Sequence, residues 1–227
     1  MANSLLITGT DTGVGKTVLT AALTAYWQTH VTHQKVAVFK PIQSGIGDLE
    51  FYQEHFELEQ SAEDITPLKY EHPLAPPVAA DLAGGSVDLE KVWKKLRYLQ
   101  QEFDQIFVEG VGGLGTPITH ELTVADIARD WRFPTLLVVP VRLGSIGQTI
   151  ANIALARASK IDIKGIVLSA SSQEALEDSR ELTPPEMLEQ FTHIPVLGML
   201  PPIQDWNNTE ELSQAASQLD LEKIFQI

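Results

Sequence analysis

The 227-residue chain carries 30 acidic against 16 basic side chains, for a formal net charge of −14, and contains no cysteine. Disulfides and thiolate metal sites are thereby excluded, and so acidic a surface argues against nucleic acid, itself a polyanion, as a partner. With 44% apolar and 20% charged residues the composition is that of an ordinary globular protein of one core.

In chain order, residues 1–12 show no basic region ahead of their short apolar run at 5–7. No apolar stretch approaches the roughly 20 residues that a membrane span needs. The expectation is a cytoplasmic protein without membrane contact, folded as a single domain over 1–227. Residues 4–8 read as a buried strand, 9–17 as a glycine loop and 16–29 as a helix. A second strand spans 35–40. The Pro- and Gly-rich segment 70–85 reads as a loop near the site. A helix at 88–102 feeds a third strand at 106–109. Further strands are expected at 135–141, 165–169 and 195–200, and helices at 124–130, 145–158, 185–191 and 210–218. Continuous apolar strands separated by amphipathic helices imply parallel pairing through right-handed crossovers. The expected fold is α/β: an open, mostly parallel sheet with helices on both faces. Ligands of such sheets bind beyond the carboxyl ends of the strands, where every motif in this chain falls.

The first motif is Gly9-Thr10-Asp11-Thr12-Gly13-Val14-Gly15-Lys16-Thr17. Glycines let backbone N–H groups approach phosphates, and the helix opening near Lys16 aims its positive end at them. Lys16 would reach the β- and γ-phosphates and the Thr17 hydroxyl would hold Mg²⁺. The strict phosphate-loop pattern wants glycine at position 10; the glycine here stands one earlier, at Gly9.

Three more groups lie on the same rim. Lys40 ends the second strand and precedes Pro41, Gln43, Ser44 and Gly45. Beside Lys16 it would stabilise charge on a phosphoryl group in transfer; alone it would be a solvated edge charge. Asp48, in Gly47-Asp48-Leu49, suits a helix N-cap as well as a metal ligand. Glu109 ends the third strand ahead of Gly110-Val111-Gly112-Gly113, and an acid there is the usual second anchor for magnesium beside a phosphate loop. Thr17, Asp48 and Glu109 together would give Mg²⁺ its oxygen ligands, with Asp64 as a fallback for Asp48.

These residues resemble one family, the dethiobiotin synthetases. The pieces are GTDTGVGKT (9–17), FKPIQSG (39–45), GD (47–48), VEGVGGLGTP (108–117), TVADIARD (123–130) and PTLLVVPVRLGSIGQT (134–149), in family order over nearly the whole chain. The resemblance implies a phosphate-loop NTPase fold and closure of the ureido ring of dethiobiotin from 7,8-diaminononanoate, CO₂ or bicarbonate, and ATP with Mg²⁺. A carbamate attacks the γ-phosphate and the mixed carbamic-phosphoric anhydride is captured by the second amine. Carried over by position, Lys40, Lys16 and Thr12 are catalytic, and Ser44 contacts substrate. The nucleotide falls on Gly13, Val14, Gly15, Lys16, Thr17 and Val18, on Asp48, Glu109, Gly110, Val111 and Gly112, and on Ser169, Ala170, Pro201, Pro202 and Ile203. The family works as a homodimer, so Ser145, Ile146 and Gly147 would offer helix N–H groups to the substrate carboxylate of the partner subunit.

The chain departs from the family where Arg142 replaces a lysine and Gly147-Gln148 an Asn-His pair. Ser169 replaces the Asn that reads the adenine edge, offering one hydroxyl where Asn offers both an amide donor and a carbonyl acceptor. Two rivals share the loop. A partitioning or regulatory ATPase would carry a second lysine where Asp11 stands. A cobyrinate-type amidoligase is usually fused to a cysteine-dependent glutaminase. Ser159-Lys160-Ile161-Asp162 mimics a guanine-reading motif at a helix end, and reads as chance. His30 and His33 read as surface residues, and Trp27, Trp93, Trp131 and Trp206 as packing.

Overall fold

The computed structural model describes residues 3–225. The elements run β1 (Asn3–Gly9), α1 (Lys16–His30), β2 (Val36–Phe39), β3 (Ile42–Ser44), α2 (Asp48–His55), α3 (Ala62–Ile65), β4 (Leu68–Tyr70), α4 (Pro76–Leu82), α5 (Leu89–Glu102) and β5 (Gln105–Gly113). They continue with α6 (Val124–Asp130), β6 (Thr135–Pro140), α7 (Ser145–Ala158), β7 (Ile163–Ser169), α8 (Gln173–Glu177), α9 (Ser179–Leu182), α10 (Pro185–Thr192), β8 (Val196–Leu200), α11 (Thr209–Ser217) and α12 (Leu221–Phe225). Six strands form one parallel sheet in the order β2-β5-β1-β6-β7-β8. β3 and β4 form a separate parallel pair.

Side-chain alternation along the central strands explains the layers. Leu5 and Ile7 of β1 and Phe107 of β5 point to one face, where Leu19, Leu23 and Trp27 of α1 and Ala215 and Ala216 of α11 cover them. Leu6, Ile106 and Val108 point to the other, against Val92, Leu96 and Leu99 of α5 and Ala128 of α6. Further along, Leu137 and Val139 of β6 pack on Ile153 of α7 and Leu188 of α10. Residues one apart on a strand thus feed opposite cores, as a period of two requires. Burying both faces is why these strands read as unbroken apolar runs.

The six expected main-sheet strands are all present, with ends moved by a few residues, and β5 runs on to Gly113. Segment 70–85 is not a plain loop: Pro76 and Pro77 open helix α4. Proline lacks only an N–H that a first helical turn leaves unpaired anyway, so a proline pair starts a helix as readily as it makes a turn. The pair β3 and β4, with three residues each, and the short helices α2, α3, α8, α9 and α12 were not foreseen, because so few residues carry no readable period.

The secondary readings resolve by position. His30 and His33 are exposed. Trp27 packs edge-on between Phe107 and Phe225, Trp93 against Trp131, and Trp206 edge-on against Phe51. Lys160 closes α7 in a left-handed conformation (φ 58°) and Asp162 pairs with Lys164 at 2.7 Å. Both precede β7 and so lie at the amino rim of the sheet, opposite the phosphate loop; the likeness to a guanine-reading motif is accidental. Among the described residues, no helix is long and apolar enough to cross a membrane.

Phe107 is fully buried and its ring meets those of Trp27 and Phe225. Phe107→Ala is expected to lower the unfolding free energy by ~3–5 kcal/mol through lost transfer energy and a residual cavity, measured by urea denaturation.

Candidate active site

The loop after β1 is shaped by two glycines in left-handed conformations, Gly13 (φ 70°) and Gly15 (φ 100°). A side chain at Gly15 would also collide with the side chain of Ser169 at the end of β7. Val14 between them is buried and joins the core beside Leu19 and Val138, which pins the loop to the sheet. Gly15 caps α1 without any side-chain bond, so the first-turn N–H groups face the cleft uncapped, where an anion would complete them.

Lys16 is 7% exposed and its ammonium donates to the Asp11 carbonyl oxygen at 2.9 Å. Burial, and after it the positive charge of Lys40, hold its pKa down to about 8. Lys40, 3% exposed, pairs with Asp48 Oδ2 at 2.6 Å and Glu109 Oε1 at 2.9 Å, and donates to the Gly110 carbonyl oxygen at 3.2 Å. Burial alone would depress Lys40, but Glu109 and Asp48 outweigh it and raise its pKa. The Thr17 hydroxyl lies 3.1 Å from Asp48 Oδ1 and 2.9 Å from Glu109 Oε1. Glu109 is 1% exposed, and its second oxygen, Oε2, accepts the phenol proton of the fully buried Tyr52. Burial, and then Glu109, raise the Tyr52 pKa well above its usual value, so the phenol stays a donor.

Asp48 is not an N-cap. Gly47 precedes α2 and its N–H is accepted by Glu50 Oε2 at 2.9 Å, while Gln43 Oε1 accepts the Leu49 N–H at 2.7 Å. With those donors already taken, the Asp48 carboxylate turns to Lys40 and Thr17. Asp64 does not back it up. It accepts from the Ser61 N–H and hydroxyl and pairs with Lys95 at 2.6 Å, away from the cleft.

A cleft of about 310 Å³ gathers Thr12, Gly13, Gly15, Lys16, Thr17, Lys40, Ser44, Asp48, Glu109, Val111 and Gly112. Gly110 joins through the carbonyl that Lys40 grips. The buried Ser44 hydroxyl in this cleft has no partner within the protein. Ser145, Ile146 and Gly147 are not part of it. They open α7 beyond the phosphate loop, to which α7 is tied by Asn152 Nδ2 donating to the Thr10 carbonyl oxygen at 3.3 Å. Ser145 is fully buried and its hydroxyl unpartnered, whereas Gly147 is exposed. Ser169 and Ala170 are buried at the end of β7, and Pro201, Pro202 and Ile203 are half-buried just past β8. Val18 packs partly against the core and does not line the cleft. Gln43 stands in the sequence motif after Lys40 without an assigned role, and Tyr52 is absent from the sequence reading. The available signal was Tyr52 standing four residues after Asp48, on the same helical face, but α2 itself was not anticipated.

The donor set fits a magnesium ion. Oxygens of Thr17, Asp48 and Glu109 converge, and the Lys40 ammonium sits against both carboxylates as a cation does. Two carboxylates and a hydroxyl are the hard ligands Mg²⁺ takes from protein when phosphate oxygens and water supply the rest.

A family model described as an AAA domain matches residues 3–210. The chain is 50% identical over 222 residues to the ATP-dependent dethiobiotin synthetase BioD of Gloeothece citriformis, covering 98% of each chain. It is 48% identical over 223 residues to the protein of the same name from Synechocystis sp., covering 97% of this chain and 94% of that one. Among solved structures, the MinD cell division protein of Aquifex aeolicus superposes with a TM-score of 0.59 at 18% identity, over 99% of this chain and 96% of that one. At that identity the likeness is one of fold.

The depressed Lys16 has a stability consequence. Between about pH 8 and the ordinary lysine range the unfolded chain binds a proton that the folded chain does not, so this group's contribution to stability rises with pH over that window. Lys16→Met is therefore expected to unfold at higher urea than the unsubstituted protein at pH 7, with the gap closing towards pH 10. A gap that is absent at pH 7 or widens with pH contradicts the buried, penalised ammonium.

Proposed function

Because the chain belongs to the ATP-dependent dethiobiotin synthetase family, we propose that its cleft closes the ureido ring of dethiobiotin from 7,8-diaminononanoate, CO₂ and ATP. The observation that carries this reading is the convergence of Lys16, Lys40, Thr17, Asp48 and Glu109 on one cleft. We place the whole chain in this role as one cytoplasmic phosphate-loop domain.

One amine of the diamine and CO₂ give a carbamate. A carbamate oxygen attacks the γ-phosphorus and ADP leaves. The second amine then attacks the carbamoyl carbon of the mixed anhydride, the ring closes and inorganic phosphate departs. The barrier is an anion approaching an anion, so positive charge and positioning are what the protein contributes. The N–H groups of Gly13, Val14, Gly15, Lys16, Thr17 and Val18 hold the phosphates. Lys16, deprived of water, attracts the terminal phosphates more strongly than a solvated lysine would. Lys40 exchanges part of its carboxylate pairing for the carbamate and the transferring phosphoryl group. Thr12 and the unpartnered Ser44 hydroxyl orient the carbamate. Thr17, Asp48 and Glu109 hold Mg²⁺, which when bound withdraws charge from the triphosphate oxygens. Gly110, Val111 and Gly112 let substrate come close to the backbone.

Ser145, Ile146 and Gly147 do not line the chain's own cleft, which favours a homodimer in which the start of α7 serves the partner's substrate carboxylate. Leu143 and Ile46, 88% and 87% exposed, are the side chains such an interface would cover. For the base, Ser169 stands against Gly15 with Ala170 behind it. Recognition then falls to backbone around Pro201, Pro202 and Ile203, with weak discrimination among bases. The partitioning-ATPase rival is disfavoured by Asp11, whose carboxylate accepts the Thr12 N–H at 2.7 Å where that class carries a lysine.

Incubation with 7,8-diaminononanoate, bicarbonate, Mg²⁺ and ATP should yield dethiobiotin and phosphate in equal amounts, from a protein that sediments as a dimer. Phosphate release independent of the diamine, or full activity in a monomer, would overturn the respective part of the proposal. For the base, kcat/KM with ATP, CTP and GTP is expected to lie within about one order of magnitude, because a single hydroxyl cannot supply the paired contacts that give larger ratios; a thousandfold preference for ATP would refute it.

A further inference from the structure

Tyr52 is a fully buried phenol whose hydroxyl donates to Glu109 Oε2. The other oxygen of the same carboxylate, Oε1, faces Thr17 and Lys40. One glutamate is thus divided, with one oxygen fixed by tyrosine and the other presented to the cleft. Tyr52 also lies four residues beyond Asp48 in α2, one helical turn along the same face. Its bond therefore spans the two elements that carry the carboxylates, tying α2 to β5. The ring is held by Phe51 and Phe56, with centroids 5.5 and 6.3 Å away, and packs with Val38, Leu49 and Ile65.

We propose that Tyr52 is a positioning residue for the divalent ion: it orients Glu109 as a one-oxygen ligand and sets its distance from Asp48. The inference rests on the assignment of Asp48 and Glu109 as metal ligands made above. Groups that orient metal ligands typically change metal affinity by 10–100-fold when removed. A merely structural tyrosine would alter stability and leave the ion's affinity unchanged.

The test uses the full-length protein and direct Mn²⁺ binding by electron paramagnetic resonance in the presence of ADP, with Mg²⁺ competition as a second reading. Tyr52→Phe keeps the ring and removes the hydroxyl; Mn²⁺ binding is expected to weaken about tenfold. Glu109→Gln is the companion. If Glu109→Gln weakens Mn²⁺ binding and Tyr52→Phe leaves it within twofold, the role of Tyr52 is overturned while the metal site stands. If neither variant changes it, the metal assignment falls and this inference with it. Should Tyr52→Phe fail to fold by circular dichroism, 3-fluorotyrosine at position 52 retains the hydroxyl. Its fluorine resonance is then expected to broaden beyond detection on adding Mn²⁺ with ADP, because the phenol would adjoin the ion's ligand. A line that stays sharp overturns the proposal.

Discussion

The organisation of this protein depends on burying two ammonium groups beside two carboxylates at the rim of a parallel sheet. An ammonium taken from water is costly unless paired. Lys40 meets that requirement with Asp48 and Glu109, and its charge is reinforced. Lys16 does not, having a carbonyl oxygen as its close partner, and its pKa falls to about 8. The two lysines thus differ in pairing: Lys40 is held between two carboxylates, whereas Lys16 has a carbonyl oxygen for a close partner.

The scaffold holds this arrangement because each group sits on or beside a regular element of the fold. Glu109 lies within β5 and Lys40 follows the adjacent strand β2, and β1, whose loop carries Lys16, pairs with β5 on its other side. Thr17 stands in the first turn of α1. Only Asp48 comes from a short helix, and that helix is anchored more heavily than its length suggests. Gln43 bonds both the Leu49 N–H and Glu50, and Lys69 pairs with Glu50. Partial burial pulls Glu50 upward, yet Lys69, the Gly47 N–H and the Gln43 amide outweigh it and hold its pKa at about 2. At the far end of α2, Phe51 meets Trp206 and His55 Nδ1 lies 3.0 Å from Asn207 Oδ1. The segment following Pro201, Pro202 and Ile203 is thereby fastened to the helix that bears Asp48.

Backbone shape carries as much of the site as side-chain charge. The positive φ of Gly15 and the absence of a side chain there let Ser169 come close, so the end of β7 packs under the phosphate loop. A small side chain at position 169 is what that contact accommodates.

What the sequence by itself determined is whatever repeats or stands in a fixed local frame. The six apolar strands, the long helices between them and the strand–glycine loop–helix unit at residues 9–17 were legible, because burial on both faces and phosphate-loop geometry are written in contiguous residues. The placement of Lys40 at a strand end followed from the same reading, whereas Glu109, read as a strand end, lies inside β5, which runs on to Gly113. Tertiary structure alone decided the rest. Asp48 was freed from capping because Glu50 and Gln43 took the helix-end donors, and Asp64 was removed from contention by Ser61 and Lys95. Tyr52 entered the site through a bond to a residue 57 positions away, and the pairing of β3 with β4 joins segments each too short to announce themselves. Such contacts depend on which chain segments meet in space, and no local period or propensity encodes that meeting.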